Sequence, residues 1–529
     1  MLFMKESYSL TEVYSYLRSF HLSESLYTIG AINSALKYGG DSYFKDNIPE
    51  HITYWLDRFG NKQVSNFEML LQTSRMARLL LLSGASDYRS KMLMLGTQEF
   101  QTAFNMIGRL SEPEIEKQFE NEQTVSSFFG RMSSWQFPLQ SDRLIPLGRA
   151  YLLFIEIPKR LNQEYDYDLK MREFFDIGVL EYLNCGYALW QTTNGTLDYR
   201  VKVELEPLKS IVTSSNLEKM VTLVTGNHSQ YRLLIRGDNW KDSDPYKDLY
   251  ALDPFLKIPA LAVKNSTKLR TDSFVVPQPK YLLDKISTGI FYLLADREQQ
   301  AAIKENVEHK KNSFRNSFGE VYREYVKMQL QQAKMPAVLV DLDTEFENTT
   351  KKKIPDFALL CGDICILFEV KTSILKVQAR TYFEPDQLKK EVEEGSLPKA
   401  LQQLYSFKQA ILNKGLSDKR FDGINIVICL LVCYEDIFVL NSTLLPILKE
   451  KYPEMSENLQ LTCISDIDAI GYGLANNINL GKLLVQKICS KIKNSYMVAI
   501  EVESEIGRGN DLLKASFKRF IEQLGVKMS

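Results

Sequence analysis

Two short apolar runs with a glycine between them mark the C-terminal part of the chain. Residues 357–361 form the first run, residues 364–368 form the second, and Gly362-Asp363 separates them. Apolar runs of this length, with glycine at the bend, predict two strands joined by a tight turn. Side chains along each strand should alternate between the two faces.

Hydrophobic patterns on either side of this hairpin predict helices and further strands. Apolar residues recur at helical spacing over residues 313–332, and a second helical pattern covers residues 398–411. Apolar or alternating runs predict strands at residues 337–340, 425–431 and 459–463. The order helix, strand, hairpin, helix, strand indicates an α/β domain.

The N-terminal half follows a different pattern. Residues 1 to about 130 are predicted mainly helical, and residues 145–300 mix helical and strand-like segments. A strongly polar stretch at residues 296–312 suggests a boundary between residues 1–298, of unknown role, and a second domain over residues 299–529. A sensor, a target-recognition module and a scaffold all remain open for the first part, which contains no phosphate-binding or dinucleotide-binding motif.

Composition narrows the class of protein. The 529 residues are 45% apolar and 25% charged with a formal net charge of -1, so any nucleic-acid contact must come from a local patch. Seven scattered cysteines, and an N-terminus without signal-peptide character, predict a reducing, cytoplasmic location. No apolar stretch reaches the length of a membrane span. Only four histidines are present, which argues against a histidine-based metal site.

Three charged residues stand on the apolar hairpin. Alternation predicts that Glu369 and Lys371 project from one face, and Asp356 at the start of the neighbouring strand can face the same way. Carboxylates are ligands that Mg²⁺ prefers, one or two per site. A lysine beside them can orient or help deprotonate an attacking water. A plainer interpretation is a half-buried hairpin in which the glutamate and lysine form a salt bridge.

The sequences Pro355-Asp356 and Glu369-Val370-Lys371 resemble the motif of the PD-(D/E)xK nuclease superfamily. The resemblance covers the C-terminal part of the chain only. It implies a restriction-endonuclease-like α/β core, a mixed sheet flanked by helices, preceded here by a largely helical region with some strands. In that scheme Asp356 and Glu369 hold Mg²⁺ or Mn²⁺, and Lys371 positions the attacking water.

The resemblance also implies a glutamate on the helix before the first catalytic strand. Gly319 and Tyr325-Val326 fit the family pattern, but Arg323 stands where the glutamate is expected. Glu324 lies at the flank of the apolar stripe and is the favoured metal ligand. Glu320 is the second choice, and either residue can instead be a solvated helix glutamate.

Further candidates lie around the hairpin. Gln403 corresponds to a helix glutamine found in several branches of the superfamily and would orient the water or a phosphate, with Gln402 as the alternative. Basic residues near the motif can contact the phosphate backbone or can simply be solvated. These residues are Lys351, Lys352, Lys353 and Lys399.

The expected activity is metal-dependent hydrolysis of phosphodiester bonds by an endonuclease, with DNA favoured over RNA. By analogy, the setting is bacterial defence against phage or foreign DNA. Activity should need a divalent metal and rise with pH, because like-charge repulsion raises the pKa of one acid. The alternative is an inactive nuclease fold that binds nucleic acid or a protein partner. Self-association or a partner contact through residues 1–298 is also open.

Overall fold

The structure is a computed structural model that describes most of the chain in separate segments. The described residues are 6–38, 66–111, 145–193, 195–197, 212–237, 248–249, 253–266, 269–270, 273–304, 313–334, 336–346, 354–375, 385–437 and 440–523.

The first part of the chain consists of helices around a small sheet, which confirms the predicted largely helical region with some strands. The sheet has the strand order β1-β4-β3-β2, with β2 and β3 parallel and the other pairs antiparallel. Its strands are β1 (Thr196–Leu197), β2 (Thr225–Gly226), β3 (Ala260–Ala262) and β4 (Phe274–Val275). The helices are α1 (Leu10–Leu17), α2 (Leu22–Tyr38), α3 (Asn66–Leu82), α4 (Gln98–Gly108), α5 (Ile145–Tyr151, continued by a π-helical turn over Leu152–Glu156 and an α-helical turn over Ile157–Leu161), α6 (Tyr167–Phe175), α7 (Val179–Thr192), α8 (Ser214–Val224), α9 (His228–Arg236), α10 (Pro254–Lys257), α11 (Pro279–Ile286) and α12 (Gly289–Lys304).

The second part contains a five-stranded mixed sheet with helices packed against it, which confirms the predicted α/β architecture. The strand order follows the chain from β5 to β9; β5, β6 and β7 are antiparallel, while β7, β8 and β9 are parallel. The strands are β5 (Val338–Asp341), β6 (Phe357–Cys361), β7 (Ile364–Lys371), β8 (Ile426–Cys433) and β9 (Leu459–Thr462). The helices are α13 (Ser313–Leu330), α14 (Leu342–Phe346), α15 (Pro385–Glu394), α16 (Leu397–Leu412), α17 (Leu440–Lys451), α18 (Ile464–Ala475), α19 (Leu480–Cys489), α20 (Val498–Ile506) and α21 (Asp511–Gln523), with 3₁₀ turns at Lys419–Phe421 and Lys493–Ser495.

The predicted hairpin is the pair β6 and β7. Cys361 pairs with Ile364, so Gly362 and Asp363 form the two-residue turn. Gly362 has a φ of 68°, a conformation in which a side chain is unfavourable, and this explains the glycine at the bend. The strands are apolar on both faces because α13, α16 and α19 pack against β7.

Two clusters of buried apolar side chains form the interior. One joins α1–α4 with α9 and α10 around Leu26, Leu80 and Phe255. The other extends from α5 through the five-stranded sheet to α21, so residues before and after position 298 share it. Helix α12 itself spans that position, and the division of the chain into residues 1–298 and 299–529 stays a prediction.

Phe318 stands where α5, α12 and the sheet meet. It is fully buried, and its ring centroid lies 4.8 Å from those of Phe291 on α12 and Tyr434 after β8, and 5.6 Å from that of Phe154 on α5. Aromatic contacts of this kind contribute most of their stabilisation through buried apolar area.

No helix in the described segments is long and apolar enough to cross a bilayer.

Replacing Phe318 by alanine should lower the free energy of unfolding by about 3–5 kcal/mol, because the cavity forms between three packed elements. Chemical denaturation followed by circular dichroism measures this change. The control is Tyr88→Ala, since Tyr88 is 86% exposed and its loss should change the free energy by less than about 0.5 kcal/mol. Similar losses for both variants would show that Phe318 does not hold these elements together.

Candidate metal and catalytic site

Asp356 is held by backbone and side-chain hydrogen bonds at the end of the sheet where β6 begins and β7 finishes. Its N–H donates to the carbonyl oxygen of Phe368 at 3.0 Å, and its own carbonyl oxygen accepts from the N–H of Leu342 at 3.1 Å. Its Oδ2 accepts from the Val370 N–H at 2.8 Å, and its Oδ1 accepts from Arg323 Nε at 3.0 Å. The residue stands one position before β6, and these bonds hold its carboxylate beside the end of β7.

Glu369 lies on β7 with its side chain 1% exposed. Its Oε1 accepts a hydrogen bond from the ammonium group of Lys371, so the two side chains share a face as alternation predicts. Its Oε2 is buried and has no hydrogen-bond partner among the described residues. A buried carboxylate oxygen without a donor is costly, because neither water nor protein compensates its charge.

Burial perturbs both acids. It is the main cause that raises the pKa of Glu369 to about 7, and the nearby charge of Asp356 raises it further while Lys371 opposes the shift. The pKa of Asp356 is also raised by burial, against the Val370 N–H and the positive charges of Arg323 and Lys371. Like-charge repulsion was the expected cause, but in the structure removal from water is the larger one.

Helix α13 adds two cations that the sequence analysis did not assign to the site. Arg323 Nη2 donates to Asp341 Oδ1 at 2.5 Å while its Nε reaches Asp356, and Lys327 Nζ lies 2.8 Å from Asp341 Oδ2. Although burial acts to lower the pKa of Arg323, the charges of Asp341 and Asp356 raise it above its usual value. The available signal was the spacing of Arg323 and Lys327, one helical turn apart, together with an aspartate that ends β5.

The two helix glutamates considered as metal ligands point to the first part of the chain. Glu324 Oε1 accepts from Arg160 Nη2 at 2.5 Å, and Glu320 Oε2 accepts from Gln163 Nε2 at 2.6 Å. Within the described segments neither carboxylate has a hydrogen bond or ion pair with the hairpin. To act as a ligand, Glu324 would have to leave Arg160, whereas Arg323 already reaches Asp356.

Gln403 approaches the hairpin from α16. Its Nε2 donates to the carbonyl oxygen of Ile354 at 3.2 Å, two residues before Asp356. Gln402 is exposed and bonds along its own helix to Ser406, and Lys399 is exposed one turn before Gln403. The predicted phosphate contacts Lys351, Lys352 and Lys353 lie outside the described residues.

Two carboxylates, rather than a larger cluster, are available for a metal. Nowhere in the described segments do three His, Cys, Asp or Glu side chains converge in an arrangement that could hold an ion. Asp356 and Glu369 still fit a divalent cation, because Glu369 presents a buried oxygen without a donor. Mg²⁺ is commonly held by one or two carboxylates, with water and phosphate oxygens at its other positions.

The charged groups around the buried Glu369 are partly exposed. The side chains of Lys371, Arg323 and Asp356 are 30%, 22% and 19% exposed. A cavity of about 260 Å³ lies instead beyond β8 and β9, lined by residues such as Asp436 and Asp468, and none of the hairpin acids lines it.

Replacing Glu369 by glutamine should change how stability depends on pH in the absence of divalent metal. The folded protein keeps the Glu369 proton up to about pH 7, whereas an unperturbed carboxyl releases it near 4.5. The wild-type free energy of unfolding should therefore fall relative to the variant as pH rises through this window, by on the order of 3 kcal/mol. Denaturant unfolding from pH 4 to 8 with a chelator present measures the difference.

The control for this experiment is Glu320→Gln on α13. Its free energy of unfolding should run parallel to that of the wild type over the whole pH range, because the exposed Glu320 does not lie on the hairpin. Parallel curves for the wild type and Glu369→Gln would contradict the prediction that the folded protein keeps the Glu369 proton up to about pH 7.

Comparison of the sequence with known protein families and with characterised proteins finds no match, and comparison of the fold with solved structures finds none either. The function must therefore be inferred from the geometry and chemistry of this site.

Proposed function

We propose that the chain is a metal-dependent nuclease. It would hydrolyse phosphodiester bonds at the end of the five-stranded sheet where β6 begins and β7 finishes. The observation that carries this proposal is the unpaired, buried Oε2 of Glu369 beside Asp356. An ion pair with Lys371 already satisfies Oε1. A purely structural salt bridge would therefore leave the burial of the unpaired Oε2 unexplained. A divalent cation would compensate both acids at once.

Each residue of the site has a role that follows from its contacts. Asp356 and Glu369 would hold Mg²⁺ or Mn²⁺, and the Val370 N–H and Arg323 fix the orientation of Asp356. When bound, the metal polarises the phosphate and lowers the pKa of a coordinated water. Lys371 is partly exposed, so its ammonium group can turn from Glu369 to the attacking water or to the negative charge that develops on phosphate.

The arrangement of elements supports a restriction-endonuclease-like core as the finer description of this fold. Both motif acids lie at one end of the central strands of a mixed sheet. Helix α13 precedes the first strand of this sheet, helix α16 follows the hairpin, and both helices pack against β7. DNA is the favoured substrate, and a role in bacterial defence against phage or foreign DNA is proposed by analogy with the superfamily.

One observation favours a second candidate, an inactive fold that serves as a binding platform. Arg323 pairs with Asp356 and Lys371 pairs with Glu369, so the site is internally neutralised in the absence of metal. A platform of this kind needs no metal ion. Calorimetric titration with Mn²⁺ separates the two candidates, since only the nuclease should bind the ion through Asp356 and Glu369.

Replacing Asp356 by asparagine or Lys371 by methionine should reduce cleavage of DNA by about 10²–10⁴-fold, because each change removes a metal ligand or the group that orients water. Cleavage is measured on single-stranded and double-stranded DNA and on RNA, with Mg²⁺, with Mn²⁺ and with a chelator. The chelator should abolish cleavage by the wild type.

The matched control is Asp363→Asn, in the turn of the same hairpin and exposed at its opposite end. It should cleave as the wild type does. The nuclease proposal fails if wild-type protein cleaves none of these substrates faster than the Asp356→Asn variant.

Gln403 and Gln402 provide a second matched pair. Gln403→Ala removes the hydrogen bond to Ile354, which positions the segment leading into Asp356, and one such bond contributes about 1 kcal/mol. Cleavage should fall about fivefold, while Gln402→Ala should leave it unchanged because, among the described residues, its amide donates to Ser406 alone. Initial rates at saturating metal distinguish the two, and equal rates would remove Gln403 from the site.

A further inference from the structure

Arg323 lies between two carboxylates in the way that a bridging metal ion does. Its Nε is 3.0 Å from Asp356 Oδ1, and its Nη2 is 2.5 Å from Asp341 Oδ1. Two-metal centres use shared carboxylates to hold ions about 3.5–4 Å apart. Here one guanidinium occupies the Oδ1 side of Asp356, while Oδ2 accepts from the Val370 N–H.

The position of the guanidinium is fixed by more than its ion pairs. Its Cζ lies 4.6 Å from the ring centroid of Phe357, the first residue of β6, so the cation stacks over an aromatic face. The side chain is 22% exposed, which leaves part of the group open to a substrate. A planar guanidinium donates two parallel hydrogen bonds to a phosphate, a geometry that lysine does not offer.

Charge on this flank disfavours a second ion. Asp341 interacts with both Arg323 and Lys327, so two positive groups surround one carboxylate. The carboxylate of Asp343 is farther away, with its Oδ2 3.7 Å from Arg323 Nη2, and it is largely exposed. A divalent cation placed there would meet both positive charges at short range. Both oxygens of Asp341 therefore already face a cation of the protein, whereas Oε2 of Glu369 faces none among the described residues.

We propose that Arg323 takes the place of a second metal ion, so that the centre binds one divalent cation and the guanidinium supplies the second positive charge to the phosphate. This inference rests on the proposed nuclease function and adds the number of ions and the role of Arg323. The cation is held by Asp356 and Glu369, and Arg323, next to Oδ1 of Asp356, binds a non-bridging phosphate oxygen of the substrate.

Metal stoichiometry tests this directly and does not depend on activity. Calorimetric titration with Mn²⁺ should find one ion per wild-type chain. Arg323→Met frees Asp341 and Asp356 from the guanidinium, and we expect a second ion to bind. Adding Asp341→Asn to Arg323→Met should return the count to one, and Arg323→Lys, which keeps the charge, should bind one ion throughout.

The control is Arg315→Met, an exposed position in the first turn of the same helix, which should bind one ion. Two ions in the wild type, or one ion in a folded Arg323→Met variant, overturn the role of Arg323 while the nuclease proposal stands. No ion in the wild type overturns the nuclease proposal itself. If Arg323→Met does not fold, the wild type and Arg323→Lys decide: one ion in each supports the inference and two in either refutes it.

Discussion

Burial of one carboxyl group on a central strand is the constraint around which this part of the molecule is arranged. Glu369 lies in β7, between an antiparallel and a parallel neighbour, and its side chain is 1% exposed. An ionised carboxylate in such surroundings costs several kcal/mol unless it is paired. Lys371 pairs with one oxygen, and the other remains without a donor. One oxygen of the buried carboxyl group is therefore left without a partner in the described part of the protein, and the proposed cation site rests on this feature.

The topology of the sheet explains why the charged residues meet. Because β6 and β7 are antiparallel, the residue before β6 lies beside the last residues of β7. Because β7, β8 and β9 are parallel, their carboxyl ends lie at the same end of the sheet. Polar residues come soon after these ends, such as Asp436 after β8 and Asp468 after β9. Charged residues from segments that are far apart in the chain therefore lie at this end of the sheet, while the interior of the sheet stays apolar.

The hairpin was predictable from sequence because its signals are local. Alternation placed Glu369 and Lys371 on one face, and Gly362 marked the turn. The contacts of α13 were not predictable in the same way. Helical angles put Glu324 beside the apolar stripe, but they do not say which neighbour lies on that side. In the structure α5 supplies Arg160 to Glu324, while the ends of β5 and β6 supply aspartates to Arg323. That choice depends on how distant elements pack.

The two-residue turn at Gly362-Asp363 also restricts how the hairpin can change in length. Successive side chains on a strand face opposite sides, so adding or removing one residue between Gly362 and Glu369 would carry the acid to the other face of the sheet. Adding two residues would keep its face. Length changes that keep Glu369 on its present face of the sheet should therefore come in even numbers of residues.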